Sequence, residues 1–248
     1  MDTIYSCGIK INTLSVNEIA SIVNSSLEEG RKGFHLTGIN IEQIALLNKD
    51  KDFKDYINSS DIVNIDGTAV SLFLKFRGYK ESKRTLCADI FLDMLATANE
   101  KRQRVFFLGA SEDVIQQLVS NIHNDYPHIN IVGYHNGYFK DETLIVSEIS
   151  KTDSDYLFIG MPSPFKERFI TTYKHSLNVG VCYGVGGMFD ILAGKVNRAP
   201  AKVQKMGLEW LYRISQNPLG HSKRVLRALI PCLHVFLKDI FIKQPQKD

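Results

Sequence analysis

The chain has 248 residues, of which 44% are apolar and 23% charged, which excludes wholesale disorder and collagen-like or low-complexity architectures. Its net charge of +3 conceals a division: residues 195–248 carry +8 and the preceding 194 residues −5, so the tail should meet an anionic partner such as nucleic acid, anionic lipid or a diphosphate. No apolar run is long enough for a transmembrane helix, and the start MDTIYSCGIKIN lacks the basic-then-apolar pattern of a signal peptide, so a cytoplasmic protein is expected.

The predicted elements alternate between short apolar runs and helical periodicity. Cys7–Ile11 reads as a strand, and Ser15-Val-Asn-Glu18 is a capping box opening a helix to Glu29. Phe34–Thr37 is a strand, and Ile41–Asn48 a helix. Asp61–Ile65 is a strand that runs into Asp66-Gly67-Thr68 and the helix Ala69–Phe76. Cys87–Lys101 is a helix, Val105–Leu108 a strand, and Ser111 the N-cap of a helix reaching His123. Ile129–Tyr134, Glu142–Ser150, Tyr156–Ile159, Lys166–Tyr173 and Val179–Tyr183 continue the alternation, and Gly187–Leu192 begins a helix. Only helix signals follow Gly194: Lys202–Ser215, then Ser222–Lys243 interrupted by Pro231. This order predicts an α/β fold, a Rossmann-like and mainly parallel sheet with helices on both faces. A small helical appendage follows it. The expected division is 1–194 and 195–248.

Ligands of open parallel sheets sit at the carboxyl ends of the strands. Thr37 and Asn40, Asp66-Gly67-Thr68, Gly109-Ala-Ser, Gly160-Met-Pro-Ser-Pro and Gly184-Val-Gly186-Gly lie there. Glycine beside a helix start leaves backbone N–H groups free to hold phosphate. There is no Walker lysine motif and no complete GxGxxG fingerprint, which disfavours a dinucleotide oxidoreductase. Asp66 ends an apolar run, so it can cap the helix after it, act as a catalytic carboxylate, or both. Asp50-Lys-Asp52 and Asp153-Ser-Asp155 read as solvated turns, and no metal or cofactor is expected. His35, in an apolar strand, reads as a satisfied core histidine. The cysteines Cys7, Cys87, Cys182 and Cys232 form no CxxC pair and read as buried thiols.

In the tail, Val225, Leu226, Leu229, Ile230, Leu233, Phe236, Leu237, Ile240 and Phe241 form an apolar helix face among Arg227, Lys238 and Lys243. Such a helix either packs on the body or lies on an anionic membrane surface. It can also pack between subunits, as a homo-oligomer. Nucleic acid is disfavoured, because no nucleic-acid motif is present and the body is acidic.

The runs Gly184-Val-Gly-Gly-Met-Phe-Asp190, Gly194-Lys-Val-Asn-Arg-Ala-Pro200 and Gly207-Leu-Glu-Trp-Leu-Tyr-Arg213 are long and specific. With Asp66-Gly-Thr, Phe107-Leu-Gly109, Gly137-Tyr138-Phe139 and Pro164…Glu167 in the same order, the chain resembles the WecG/TagA/CpsF glycosyltransferases, also called glycosyltransferase family 26. The resemblance implies an inverting transfer of an N-acetylhexosamine, typically N-acetylmannosamine or its uronic acid, from UDP. The implied acceptor is a polyprenyl-diphosphate-linked sugar at the cytoplasmic membrane face, and the products feed teichoic acid or cell-surface polysaccharide. It implies Asp66 as general base, Thr37 and Asn40 on the acceptor side, and Arg213 at the diphosphate.

Lys166, Arg198 and the turns at Gly109, Gly184 and Gly186 suit the departing diphosphate. Asp190 can accept from the uracil N3–H or orient its own loop. Tyr138, Glu167, Lys223 and Arg224 complete the expected binding residues. The chain departs from the family pattern at Gly160-Met-Pro-Ser-Pro-Phe165-Lys166-Glu167, where Lys166 replaces a glutamine. It departs again at Leu86-Cys87, and where the tail's charge moves to Lys223-Arg224. A different hexose donor, or a nucleotide-sugar-binding regulator without turnover, are the alternatives.

Overall fold

In the computed structural model, residues 3–80, 82 and 84–241 are described. The first two strands, β1 (Thr3–Ser6) and β2 (Ile9–Asn12), form an antiparallel hairpin. This replaces the single strand expected from Cys7 to Ile11, because Cys7 takes a φ of 57° and Gly8 one of 74°, which turns the chain. Next come α1 (Val16–Glu28), β3 (Phe34–Ile39), α2 (Ile41–Leu46), α3 (Phe53–Asn58), β4 (Ile62–Ile65), α4 (Thr68–Phe76) and α5 (Cys87–Glu100). The remaining α/β units are β5 (Arg104–Gly109), α6 (Glu112–Asp125), β6 (Asn130–His135), α7 (Glu142–Ser150), β7 (Tyr156–Gly160), α8 (Phe165–Tyr173), β8 (Val181–Gly184) and α9 (Met188–Leu192). The Ser15 capping box forms as expected, with Glu18 reaching back to the Ser15 N–H at 2.8 Å. Ser111 takes the N-cap position of α6 without a side-chain cap bond.

The eight strands form one sheet in the order β1-β2-β4-β3-β8-β7-β5-β6, parallel except at the hairpin. The order places β3 against β8, pairing Leu36 with Tyr183. The loops after β3 and β4 therefore face the loops after β8 and β7 across a crevice, the position where parallel sheets hold ligands. Strand alternation feeds both faces: Val105 and Phe107 enter one core cluster, and Phe106 and Leu108 another.

The tail folds as α10 (Ala201–Lys205), α11 (Glu209–Gln216) and α12 (Pro218–Phe241). The single helix expected over Lys202–Ser215 breaks at Gly207, whose φ of 73° no helix accommodates. The second helix starts at Pro218, earlier than expected, and runs through Pro231 without interruption. Its expected last residues, Ile242 and Lys243, lie outside the described residues. Ala228, Cys232, Val235 and Phe236 share a core with Ile9, Ile44, Val63 and Leu74, and Phe236 stacks on Phe73 with ring centroids 3.9 Å apart. Asp239 is buried beneath the hairpin, where it accepts from Ser6 Oγ at 2.7 Å and Cys7 N–H at 2.6 Å and pairs with Arg77 Nε at 3.3 Å. Among the described residues no helix is long and apolar enough to cross a membrane.

Candidate active site

Asp66 follows β4 at the mouth of the crevice. Its Oδ1 accepts the Cys87 N–H at 2.7 Å, so it caps the first turn of α5. The sequence suggested a cap on the helix that follows, but the N-cap of α4 is Gly67 and no side chain caps it. The Asp66 backbone N–H donates to Ile39 O at 3.0 Å, which ties the loop after β4 to the end of β3. Asn40 stands beside it: a Cβ on Gly67 would lie 2.9 Å from Asn40 Cα. Asn40 Oδ1 accepts the Glu42 N–H at 2.8 Å in the capping box of α2, while Thr37 is buried within β3 with no partner for Oγ1 among the described residues.

A polar chain crosses the crevice. Asn40 N–H donates to Gln43 Oε1, Gln43 Nε2 to Ser163 Oγ at 3.0 Å, and Ser163 Oγ to Glu167 Oε1 at 2.7 Å. Lys166 Nζ reaches both Ser163 Oγ and Glu167 Oε1. Lys166 and Glu167 are buried, and Glu167 Oε2 has no partner among the described residues. The Lys166 stem lies over Gly184 at the end of β8, where a Cβ would come within 2.8 Å of it. His35, on the neighbouring strand, is fully buried. Ser60 Oγ contacts its Nδ1 at 3.1 Å, but its Nε2 has no partner among the described residues, so it is only half satisfied. Burial, helped by Lys174, Lys166 and Lys10, pushes the imidazole down to about 3.

The tail reaches this site. Arg213 Nη1 lies 3.7 Å from where a Gly187 Cβ would stand, beside the Gly184–Gly187 turn. Arg224 pairs with Glu42 on α2 at 2.6 Å. Burial first, then the charges of Arg213 and Arg224, lower the His221 imidazole, against the opposing pull of Glu42. Arg198 pairs with Asp89 on the first turn of α5, and its Nε has no partner among the described residues. Lys223 is exposed on α12. Asp190 sits in the first turn of α9, and Gly186 opens the turn before it.

Gly109 ends β5 with a φ of 133° and lies against Gly160, where a Cβ would come within 2.6 Å of backbone. Tyr138 is 81% exposed after β6, with its N–H donated to Asn136 Oδ1 at 2.9 Å. Among the described residues it makes no hydrogen bond to Asp66.

Arg84 stands in a charged loop that carries no motif in the sequence. It donates to Thr68 Oγ1 at 3.1 Å, Glu209 Oε1 at 3.0 Å and Gln204 O at 2.6 Å, fastening the tail to the start of α4. Burial outweighs Arg84 and raises the Glu209 carboxyl above its usual range. Asp50 accepts the Asp52 N–H, while Asp153 pairs with Lys32 and Arg104 and Asp155 accepts the Arg104 N–H. All four cysteines are free, and burial pushes each thiol up to about 12.

The arrangement offers one carboxylate with a fixed oxygen, cations gathered from body and tail, and glycine turns at the strand ends, where the N–H groups of Val185, Gly186 and Met188 already bond to backbone carbonyls. The chain is 36% identical over 204 residues to an N-acetylglucosaminyldiphosphoundecaprenol N-acetyl-beta-D-mannosaminyltransferase of Bacillus subtilis (strain 168), covering 81% of this chain and 79% of that protein. It is 35% identical over 166 residues to a protein of the same description from Bacillus spizizenii (strain ATCC 23059 / NRRL B-14472 / W23), covering 67% of this chain and 65% of that one. The profile of the Glycosyl transferase WecG/TagA/CpsF family matches residues 4–246, nearly the whole chain, and the protein belongs to that family of glycosyltransferases.

Proposed function

We propose that the protein moves an N-acetylmannosamine-type sugar from UDP to a polyprenyl-diphosphate-linked N-acetylglucosamine, with inversion and without a metal. The observation that carries this reading is Asp66: Oδ1 is held by the Cys87 N–H, and Oδ2 has no hydrogen-bond partner among the described residues. The free oxygen takes the proton of the acceptor hydroxyl as that oxygen attacks the anomeric carbon. The bond to UDP breaks on the opposite face, and its electron pair leaves with the diphosphate. The turn at Gly184–Gly187, Lys166 and Arg198 stabilise that charge. Arg213 and Arg224 meet the acceptor diphosphate. The names of the two relatives support the donor and acceptor chemistry.

The tail supports peripheral attachment to the inner face of the cell membrane. Leu226, Ile230, Leu233, Leu237 and Phe241 are exposed along α12, opposite the buried Ala228, Cys232 and Val235. The basic residues Lys223, Arg227 and Lys238 stand beside that apolar face. In this reading residues 1–194 hold the donor, and 195–248 bring in the membrane-borne acceptor.

The test is UDP release from UDP-N-acetylmannosamine with the lipid-diphosphate-N-acetylglucosamine acceptor, with and without EDTA. Acceptor-dependent release that survives EDTA is expected. Asp66→Asn should lower turnover by about 10²–10⁴-fold, the range for a general base, and leave UDP binding intact. Full turnover in Asp66→Asn refutes the assignment of the base. UDP binding without turnover for any donor refutes the enzymatic reading in favour of a regulator.

A further inference from the structure

We propose that the membrane-contact surface extends onto the catalytic body, with α4 lying in the bilayer interface and an anionic lipid headgroup seated between α4 and the α10–α11 turn. This rests on the membrane reading above and adds a second element to it.

The phase of α4 carries the argument. Val70, Ser71 and Leu74 point into the core. Phe73 stacks on Phe236 of α12, and Arg77 donates to Ile240 O at 3.0 Å, so one flank of α4 faces α12. At 100° per residue, Leu72 and Phe76 then point away from the core. They are 62% and 75% exposed. On α12, Phe236 faces α4, and the exposed Leu229, Leu233, Leu237 and Ile240 lie on the outward side of that contact. The two rows therefore run side by side as one apolar surface. A soluble helix face gains nothing by exposing Leu and Phe one turn apart, and α4 does so beside eight exposed large apolar side chains of α12.

Charge selects the occupant. The far flank of α4 lines a cavity of about 180 Å³ with Thr68, Ser71, Lys75, Arg84 and Lys205. Leu72 and Met206, the latter 69% exposed, stand at the same cavity. No acidic side chain lines it among the described residues. Arg84 is already bonded to Thr68, Glu209 and Gln204, which leaves the ammonium groups of Lys75 and Lys205 for an incoming phosphate. On the other side of the apolar surface stand Arg227 and Lys238 of α12. An apolar centre between two basic margins matches a bilayer of anionic lipid, whose acyl region takes Leu72 and Phe76 while its phosphates take the lysines. Because α4 begins two residues after Asp66, docking of α4 would set the carboxylate at a fixed depth below the headgroups.

The test is flotation of the full chain with phosphatidylcholine vesicles, with and without phosphatidylglycerol. Phosphatidylglycerol-dependent binding is expected. Leu72→Ser/Phe76→Ser should weaken it about tenfold or more, and Lys75→Glu/Lys205→Glu should reduce the preference for phosphatidylglycerol, with the remainder carried by Arg227 and Lys238. Both pairs should keep the wild-type melting temperature and wild-type turnover on a short-chain, water-soluble acceptor. A fluorophore on Phe76→Cys should shift to the blue on vesicles; an unshifted spectrum in protein that floats overturns the proposal. If Leu233→Ser/Leu237→Ser abolishes flotation while the α4 pairs bind as wild type, the claim for α4 falls and the membrane reading stands. If wild type binds neither vesicle, both fall. If the α4 pairs dissolve a dimer and leave flotation unchanged, the occupant is a second copy and the proposal is overturned.

Discussion

Asp239→Ala should cost far more than a surface substitution, because one carboxylate holds the two ends of the chain together. Asp239 accepts two hydrogen bonds, from Ser6 Oγ at 2.7 Å and Cys7 N–H at 2.6 Å, and pairs with Arg77 at 3.3 Å. The side chains of Arg77 and Asp239 are 11% and 5% exposed, so solvent screens the pair little. Removing one partner of a buried pair costs about 3–5 kcal/mol, and a hydrogen bond to a charged group contributes about 1.5–3 kcal/mol. These are not additive, since the same oxygens serve both. Arg77 also keeps its bond to Ile240 O, which softens the loss. The expected destabilisation is about 3–5 kcal/mol in urea unfolding followed by far-ultraviolet circular dichroism. Asp239→Asn, which keeps an acceptor oxygen, should cost less than Ala. A loss below about 1 kcal/mol for Asp239→Ala, within the range of ordinary surface changes, would show that the helix is held by its apolar contacts alone.

Two further perturbations test the buried charges. His35 is neutral in the folded chain, with its imidazole pushed down to about 3, whereas in the unfolded chain it titrates near 6.5. Below pH 6.5 the unfolded state therefore binds more protons, and stability falls with acidification down to about pH 3, by up to about 4–5 kcal/mol from this group. A His35→Asn variant should show a shallower loss between pH 6.5 and 4, and parallel profiles would refute the assignment. Lys166→Gln strips the buried Glu167 of its counter-charge and should cost about 3–5 kcal/mol in urea unfolding. Lys166→Gln/Glu167→Gln should recover much of that loss, and no recovery would show that the pair is not the cause.

Where apolar runs and caps are local, the sequence was a sufficient guide. The capping box at Ser15 and Glu18 and the helix Glu142–Ser150 form where their residues say. The misses share a cause, which is that local pattern does not report what lies across space. Phe53 and Ile57 are the only buried residues of the short helix α3, too few to show a period. Asp66 was legible as a residue of interest, but which helix it caps depends on where α5 begins relative to β4. The apolar positions of α12 were legible as amphipathic. The pattern merged Phe236, which is in the core, with Leu226, Ile230 and Leu233, which are exposed, because both groups are apolar. Arg84 and Gln43 carry no motif, and the bonds that join Asn40, Gln43, Ser163 and Glu167 link segments far apart in sequence, which motifs at either end do not report.

The bond from Ser6 to Asp239 also bears on the order of assembly during synthesis. Its two residues stand 233 positions apart, almost the full length of the chain. The hairpin leaves the ribosome well before its anchor. The cluster around Phe91, Phe107 and Phe158 draws on no residue of α12 and can close early. The cluster around Ile9, Ile44 and Val63 must wait for Ala228, Cys232 and Phe236. Until then those apolar side chains lack the α12 partners that cover them in the folded chain.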